Sequence, residues 1–410
     1  MKKGKILSIN NYHYRRGGSD VVYLEHAKLM ESQGLSNAFF SMNHPKNYPT
    51  PWSDYFVDEI EFGHDYSLKE KFAMASKVVY SFEAKRKLRR LINDFQPDVA
   101  HLHCIYHHLS PAIIPVLKSA GIPTVMTAHD LKIACPAYKM LNSGGICERC
   151  KEGSVLNVVK HRCIRDSLAA SVIVAAESGL HRYLDTYRKH LDRVAVPSKF
   201  FLEKLVEWGW PREKLVYVPN YADVTKFEPL FTPGNYFFYF GRLAPEKGVA
   251  TLIEASAKSG VPLKIAGTGP IEAELKSFAE RVGGDIEFLG YRSGIELHDF
   301  VRGARAVVLP SEWYENAPMS LLESYALGKP VIGARIGGIP EMIVEEETGW
   351  IFESKNIDEL AACLEKVRYL DKSVLIEIGK SGRDYVDKTF SRQRYVDSML
   401  ALYRDLGVRV

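Results

Sequence analysis

Residues 310–341 read PSEWYENAPMSLLESYALGKPVIGARIGGIPE. A β-type run, 306–309, comes just before this stretch, and another, 330–333, lies within it. Between those runs a loop leads into a helical pattern that continues to Leu327. Strand, loop, helix and strand in succession is the unit from which parallel sheets covered by helices are built. Glu315 stands in the loop and Glu323 inside the helix. At the helix start the backbone N–H groups from Ala317 to Ser320 have no helical partner, and the helix dipole adds positive potential there. That combination suits a diphosphate. Glu315 then lies at the ligand end, and Glu323, two turns along, can accept hydrogen bonds from a ribose diol as acidic residues do in dinucleotide sites.

Upstream, residues 239–248 read YFGRLAPEKG. A strand ends at Phe240, Gly241 allows close backbone approach, and Arg242 and Lys247 precede the next helix. Two cations at a strand-to-helix turn suit two phosphates, Arg through its fork of donors and Lys as a point charge. The plainer reading, a surface Arg and Lys at a helix entrance, loses weight beside the two glutamates.

The same rhythm runs through the whole chain. Strands are expected at 236–240, 262–266 and 286–289, and in the first half at 5–9, 38–41, 99–103 and 124–127. Residues 19–33 read as a helix entered through Gly17-Gly18 with Ser19 as N-cap, and 68–95 and 111–120 are helix-like. A length of 410 residues suits two domains. We place an N-terminal domain at 1–195, a C-terminal domain at 196–388 and a returning helix at 389–410. In that last segment Tyr395, Met399, Leu402 and Tyr403 share one face.

Net charge is +4, but residues 1–200 hold 28 Lys and Arg against 19 Asp and Glu, a balance of +9. The remainder holds 26 against 31, a balance of −5, and twelve of the thirteen histidines lie in the first half. An anionic partner on the N-terminal side, or an ordinary solvated face, accounts for this equally well. No apolar run approaches the ~18 residues of a membrane span, and the basic start at Lys2-Lys3 leads into too short an apolar run for a secretory signal. The expectation is a cytoplasmic protein, with peripheral contact at the inner membrane face.

Arg242 and Lys247, Glu315 and Glu323, the following ALGKPVIGARIGGIPE, Gly17-Gly18, PDVAHLH at 97–103, TAHD at 127–130 and VPNYAD at 218–223 together resemble the family-four retaining glycosyltransferases. The resemblance implies the GT-B fold: two Rossmann-like α/β domains facing a deep cleft, with the C-terminal helix crossing back to the N-terminal domain. It implies a nucleotide diphosphate sugar as donor and a saccharide or lipid-linked saccharide as acceptor. Arg242 and Lys247 would stabilise the departing diphosphate, and Glu315, with Asn316 and Ala317, would hold the sugar. Met319 and Ser320 would give N–H groups to phosphate, and Glu323 would grip the ribose. Gly241 would allow close approach, and Tyr291 and Arg292 would meet the base. Gly17 and Gly18 would close over the phosphates, Asn220 would lie at the donor side, and His129 would approach the sugar. Retention, a hexose and a uridine diphosphate donor are expectations of the resemblance, with guanosine diphosphate-mannose second. The chain departs from the usual pattern at Asn316-Ala317-Pro318 and at Asn220-Tyr221.

No Asp-x-Asp or His-Glu-x-x-His occurs, so no cofactor is expected for the chemistry, and no nucleic-acid partner. Cys135, Cys147, Cys150 and Cys163 fall in an insertion at 131–165, with a C-x2-C at its centre. A structural zinc, unbridged thiols and two disulfides are its open readings. Lys85, Arg86, Lys87, Arg89 and Arg90 on one helix-like stretch suit an anionic bilayer or plain solvation. Two other functions compete. A dinucleotide oxidoreductase would need a third glycine where GTGPIE has Glu272, and an inactive nucleotide-sugar-binding scaffold would not need the cations and glutamates kept here.

Overall fold

The computed structural model describes residues 4–59, 67–142 and 144–410. Lys2-Lys3, and Ser143 inside the cysteine-containing insertion, lie outside that range. The chain divides into two compact units, one of residues up to Pro197 with Phe201–Val218 and Val396–Val410, the other of Ser198–Phe200 with Pro219–Tyr395.

The first unit is built on β1 (Lys5–Ile9), β2 (Ser36–Phe40), β3 (Val99–Leu102) and β4 (Thr124–Thr127). A two-stranded hairpin, β5 (Leu141–Asn142) and β6 (Gly145–Ile146), then stands apart, and β7 (Arg193–Val196) and β8 (Leu215–Tyr217) complete the sheet. Its order is β2-β1-β3-β4-β7-β8, and every pairing is parallel. All residues of β3 and β4 are buried, as strands covered by helices on both faces should be. The expected boundary at 195/196 is too early. β8 pairs with β7 through Val194 and Leu215, so the chain completes the first sheet before it crosses at Pro219. Proximity of Pro197-Ser198 to a strand end could not reveal a further three-residue strand. Val396–Val410 groups with the first unit, where Tyr403 is fully buried.

Two helix expectations change. Residues 68–95 form two helices, Leu68–Val79 and Phe82–Phe95, because Ser81 turns out of the first and caps the second by accepting the N–H of Ala84 at 3.1 Å. The helix Gly18–Ser32 is entered at Gly17 with no side-chain cap, so Ser19 is not its N-cap.

The second unit carries β9 (Phe237–Phe240), β10 (Leu263–Ala266), β11 (Ile286–Gly290), β12 (Ala306–Leu309), β13 (Val331–Ala334) and β14 (Gly349–Phe352). Their order, β11-β10-β9-β12-β13-β14, is the doubly wound arrangement, again wholly parallel. Strand order reverses between β9 and β12, which pair through Phe237 and Ala306. In such sheets ligands bind beyond the carboxyl ends of the strands at that reversal. The two sequence segments singled out above, 239–248 and 310–341, leave from just these two strands.

Candidate functional site

β9 ends at Phe240 and the chain turns through Gly241 into a short 3-10 turn, Pro245–Lys247. The Tyr239 hydroxyl donates to the Arg242 carbonyl at 2.9 Å, and the Leu243 N–H to the Thr268 carbonyl at 3.0 Å. A Cβ on Gly267 would stand 1.9 Å from the Gly241 carbonyl oxygen. The GTGP stretch after β10 is therefore a brace for the Arg242 turn, a role its partial likeness to a dinucleotide fingerprint concealed. The Arg242 residue is exposed.

Lys247 points to the loop after β12. Its Nζ donates to Glu315 Oε1 at 2.7 Å and lies 5.1 Å from the centre of the Trp313 ring. Ser311 Oγ donates to the same carboxylate oxygen at 2.7 Å, and the Trp313 side chain also acts to lower the Glu315 carboxyl. Burial acts to raise the Glu315 carboxyl, but Lys247 and these donors outweigh it and hold the group below the usual carboxylate range. Ser311 and Trp313 were not foreseen; only their closeness to Glu315 in PSEWYE could have suggested them. The loop is pinned from behind as well. Gly338 donates to the Glu315 carbonyl at 2.8 Å, and a Cβ there would meet the Asn316 carbonyl oxygen at 1.9 Å.

The helix Met319–Ala326 begins at Pro318 with no side-chain cap, so its first N–H groups are left for another acceptor, Met319 and Ser320 among them. Asn220 donates to the Ala317 carbonyl at 3.0 Å, and Asn316 accepts from Ser198 at 2.9 Å. Both side chains thus help fix the loop that carries Glu315. The Glu323 carbonyl accepts the Leu327 N–H at 3.0 Å, but its carboxylate takes no hydrogen bond from any described residue, and burial raises it to about 7. A half-buried carboxylate without donors among the described residues is poised to receive them. At the end of β11, Tyr291 is 68% exposed, whereas Arg292 is tied to Glu296 at 2.9 Å and to the Tyr291 carbonyl.

In the first unit Gly17 and Gly18 lie in an exposed turn, and a Cβ on Gly18 would meet nothing within 4 Å. His129 follows β4. Its Nε2 shares a hydrogen bond of 2.8 Å with Nδ1 of His103, and the two rings stack at 5.1 Å. His103 stacks in turn on His101, which bonds the Tyr403 hydroxyl at 2.5 Å and Thr127 Oγ1 at 2.7 Å. His26 reaches the same hydroxyl at 2.7 Å. Burial lowers all four imidazoles, His26 to about 3 and His129 to about 4, so all are neutral near pH 7. Next to them Asp130 accepts the Tyr106 hydroxyl at 2.7 Å and the Lys132 N–H at 2.9 Å. Lys132 forms a fully buried pair with Glu177 at 2.6 Å.

Cys135, Cys147, Cys150 and Cys163 are unbridged. Among the described residues no three His, Cys, Asp or Glu side chains stand close enough to hold a metal ion, so the four-thiolate cage suggested by spacing is not assembled here. On the helix Phe82–Phe95 the apolar stripe Ala84, Leu88, Leu91 and Phe95 is buried, and Phe82, Arg86, Arg89 and Arg90 are exposed. Lys87 is paired with Glu83 at 3.1 Å and Lys85 bonds Tyr80. Among the described residues no helix is long and apolar enough to cross a membrane.

Two family descriptions match the chain: Glycosyltransferase Family 4 over residues 16–226, just over half of its length, and Glycosyl transferases group 1 over residues 223–374. The chain belongs to glycosyltransferase family 4. An uncharacterized glycosyltransferase of Methanocaldococcus jannaschii is 29% identical over 221 residues, 53% of this chain and 60% of that protein. The UDP-Gal:alpha-D-GlcNAc-diphosphoundecaprenol alpha-1,3-galactosyltransferase of Escherichia coli is 28% identical over 218 residues, 48% of this chain and 55% of that one. The match thus spans somewhat more than half the length of these curated relatives. Among solved structures, HepE from Anabaena in complex with UDP and glucose superposes with a TM-score of 0.69 at 16% identity, covering 98% of this chain and 100% of that one. At that identity the likeness concerns the fold, and the family-four chain has the GT-B fold.

Proposed function

We propose that this chain is a retaining hexosyltransferase. It would move a sugar from a uridine diphosphate donor to a saccharide or lipid-linked saccharide acceptor in polysaccharide or glycoconjugate synthesis. The observation that carries the reading is the group at the strand reversal of the second sheet: an exposed Arg242, Lys247 held on Glu315, and a Glu323 carboxylate with no donor among the described residues. Support comes also from two relatives, the Escherichia coli enzyme named for UDP-Gal and the Anabaena protein that holds UDP and glucose.

In this mechanism the ribose diol donates to Glu323, and the diphosphate takes the unused N–H groups at the start of Met319–Ala326 together with the Arg242 guanidinium. Glu315 accepts hydrogen bonds from the sugar hydroxyls, and Tyr291 offers its ring to the base. When the anomeric carbon–oxygen bond breaks, its electron pair goes to the diphosphate. Arg242 and Lys247 then interact more strongly than before, which lowers the barrier without reorganisation. The acceptor hydroxyl attacks from the face the diphosphate leaves and gives its proton to the departing phosphate oxygen, so configuration is retained. Burial keeps His129 of the first unit neutral, a form that can hydrogen-bond a hydroxyl without adding positive charge.

The test is to incubate the chain with UDP-glucose, UDP-galactose, UDP-N-acetylglucosamine and GDP-mannose and to follow nucleotide release and the anomer formed. We expect turnover of a UDP-sugar with the donor's configuration kept. No nucleotide release from any of the four, or an inverted product, would refute it. We propose in addition that Phe82, Arg86, Arg89 and Arg90 meet an anionic bilayer. Neutralising the three arginines should then abolish sedimentation with phosphatidylglycerol vesicles, and unchanged sedimentation would exclude that face.

A further inference from the structure

The first unit contains a polar cavity that takes no part in the transfer chemistry above. Its volume is about 190 Å³, and every residue lining it belongs to that unit. The walls come from the segment Lys132 to Pro136 after β4, the helix Leu168–Tyr183 with the turn that follows it, and the Trp208 to Trp210 segment before β8. None of His26, His101, His103 and His129 lines it.

These walls are tied together by hydrogen bonds. Trp210 Nε1 donates to the Ile133 carbonyl and Trp208 Nε1 to the Glu148 carboxylate, each at 3.2 Å. The Arg182 guanidinium donates to the Ala134 carbonyl at 2.7 Å, and that of Arg188 to the Asp185 carboxylate at 2.8 Å. With their N–H groups spent elsewhere, the two indoles contribute apolar ring surface to the cavity.

Two buried polar atoms are without a partner among the described residues, Glu177 Oε1 and the Tyr187 hydroxyl, and both residues line the cavity. The nearby cation has nothing left to give them. Lys132 Nζ spends its three N–H groups on Glu177 Oε2 at 2.6 Å, the Pro136 carbonyl at 3.0 Å and Ser178 Oγ at 3.3 Å. Ser178 Oγ donates to Glu177 Oε2 as well, at 3.0 Å. One carboxylate oxygen is thus saturated and the other bare. Buried polar atoms of this kind are costly unless something pairs with them.

The missing partner must donate to Glu177 Oε1, share a hydrogen bond with Tyr187 and lie against indole. An inorganic anion fails the first requirement, because a carboxylate repels it. An organic cation is opposed by Lys132, Lys151, Arg182 and Arg188, which outnumber Glu177 and Asp185 around the cavity. An apolar ring would leave both polar atoms unpaired. A pyranose meets all three needs, with hydroxyls around its rim and C–H groups on its face. The size also suits one ring, since a cavity of about 150 Å³ takes benzene.

We propose that this cavity is a second saccharide site, which takes one pyranose unit through Glu177 Oε1, the Tyr187 hydroxyl and the rings of Trp208 and Trp210. The unit is a free monosaccharide or one residue of a saccharide chain. Lys132 connects the site to the TAHD segment, because its backbone N–H donates to the Asp130 carboxylate at 2.9 Å.

The experiment applies calorimetry and tryptophan fluorescence to the full-length chain without nucleotide. Its probes are glucose, galactose, N-acetylglucosamine and their methyl glycosides. We expect saturable one-to-one binding of at least one probe in the millimolar range, with a change in fluorescence. Tyr187→Phe should be as stable as wild type, because the lost hydroxyl has no partner among the described residues, yet bind about three- to tenfold more weakly. Trp208→Phe keeps a ring and should bind with a smaller fluorescence change. Glu315→Gln, in the second unit, should bind as wild type does. Should Tyr187→Phe fail to fold, the Trp208→Phe and Glu315→Gln results decide. Tighter binding of a methyl glycoside than of its free sugar assigns a chain residue, and the reverse or equality assigns a free monosaccharide; each upholds the site. No saturation by any probe, as when water alone fills the cavity, would overturn the proposal. So would unchanged affinity in folded Tyr187→Phe, or binding lost in Glu315→Gln. UDP binding and nucleotide release are measured separately, so failure here leaves the transferase reading untouched.

Discussion

At the carboxyl ends of β9 and β12 the ionisable side chains are kept charged or ready to charge, while at the ends of β3 and β4 the imidazoles are kept neutral. Lys247 and Glu315 compensate each other, Arg242 is exposed, and Glu323 titrates near neutrality. His101, His103 and His129 are packed ring on ring, and burial holds each uncharged. The two sheets share a parallel architecture, so architecture alone does not set the chemistry. What differs is whether each polar group meets an opposite charge or only other imidazoles and hydroxyls. The first arrangement suits the multiply charged ligand proposed above, whereas the second keeps its imidazoles uncharged.

The sharpest way to break this contrast is to upset the buried Lys132–Glu177 pair of the histidine side. Lys132→Met leaves Glu177 buried without its cation and should cost about 3–5 kcal/mol of stability in chemical denaturation, yet leave UDP affinity unchanged. Arg242→Ala should do the reverse. It should lower turnover about 100- to 1,000-fold, roughly 3–4 kcal/mol in the barrier, with a thermal midpoint close to wild type. Equal effects on stability and turnover in both variants would erase the proposed division.

Glu323 supplies a pH test of intermediate size. Its native value of about 7 lies above the ordinary 4.5, so the native state binds the extra proton between those values. Its contribution to stability is therefore fully present below about pH 4.5 and is lost as pH rises to about 7. Glu323→Gln should be more stable than wild type at pH 8 by roughly 1–3 kcal/mol, and no more stable at pH 4. UDP affinity of wild type should rise with pH through the same window, and the Gln variant should show a flat profile. Smallest of all, Tyr403→Phe removes one hydroxyl shared by His26 and His101 and should cost about 1–2 kcal/mol. Unaltered stability would mean that the histidine stack does not depend on the C-terminal helix.

Legibility in the sequence followed the same divide. The donor segments could be read because strand, turn, cation and helix are neighbours along the chain, and Glu315 and Glu323 belong to one loop and its helix. Partners distant in sequence were hidden: Gly267 against Gly241, Gly338 against Asn316, and Tyr403 against His26 and His101. The return of β8 to the first sheet was missed because three residues carry too little periodicity to announce a strand. Lys247 and Glu315 were separately assigned to phosphate and sugar, and spacing gave no sign that they pair with each other.

The central claim is that the second unit holds a nucleotide diphosphate through Arg242 and Glu323. Calorimetric titration of UDP into wild type, Arg242→Ala and Glu323→Ala tests it most directly. The account predicts saturable one-to-one binding by wild type and affinities at least about tenfold weaker in each variant, a loss of about 1.4 kcal/mol or more. Wild-type affinity in both folded variants, or no UDP binding by the folded wild type, would contradict it.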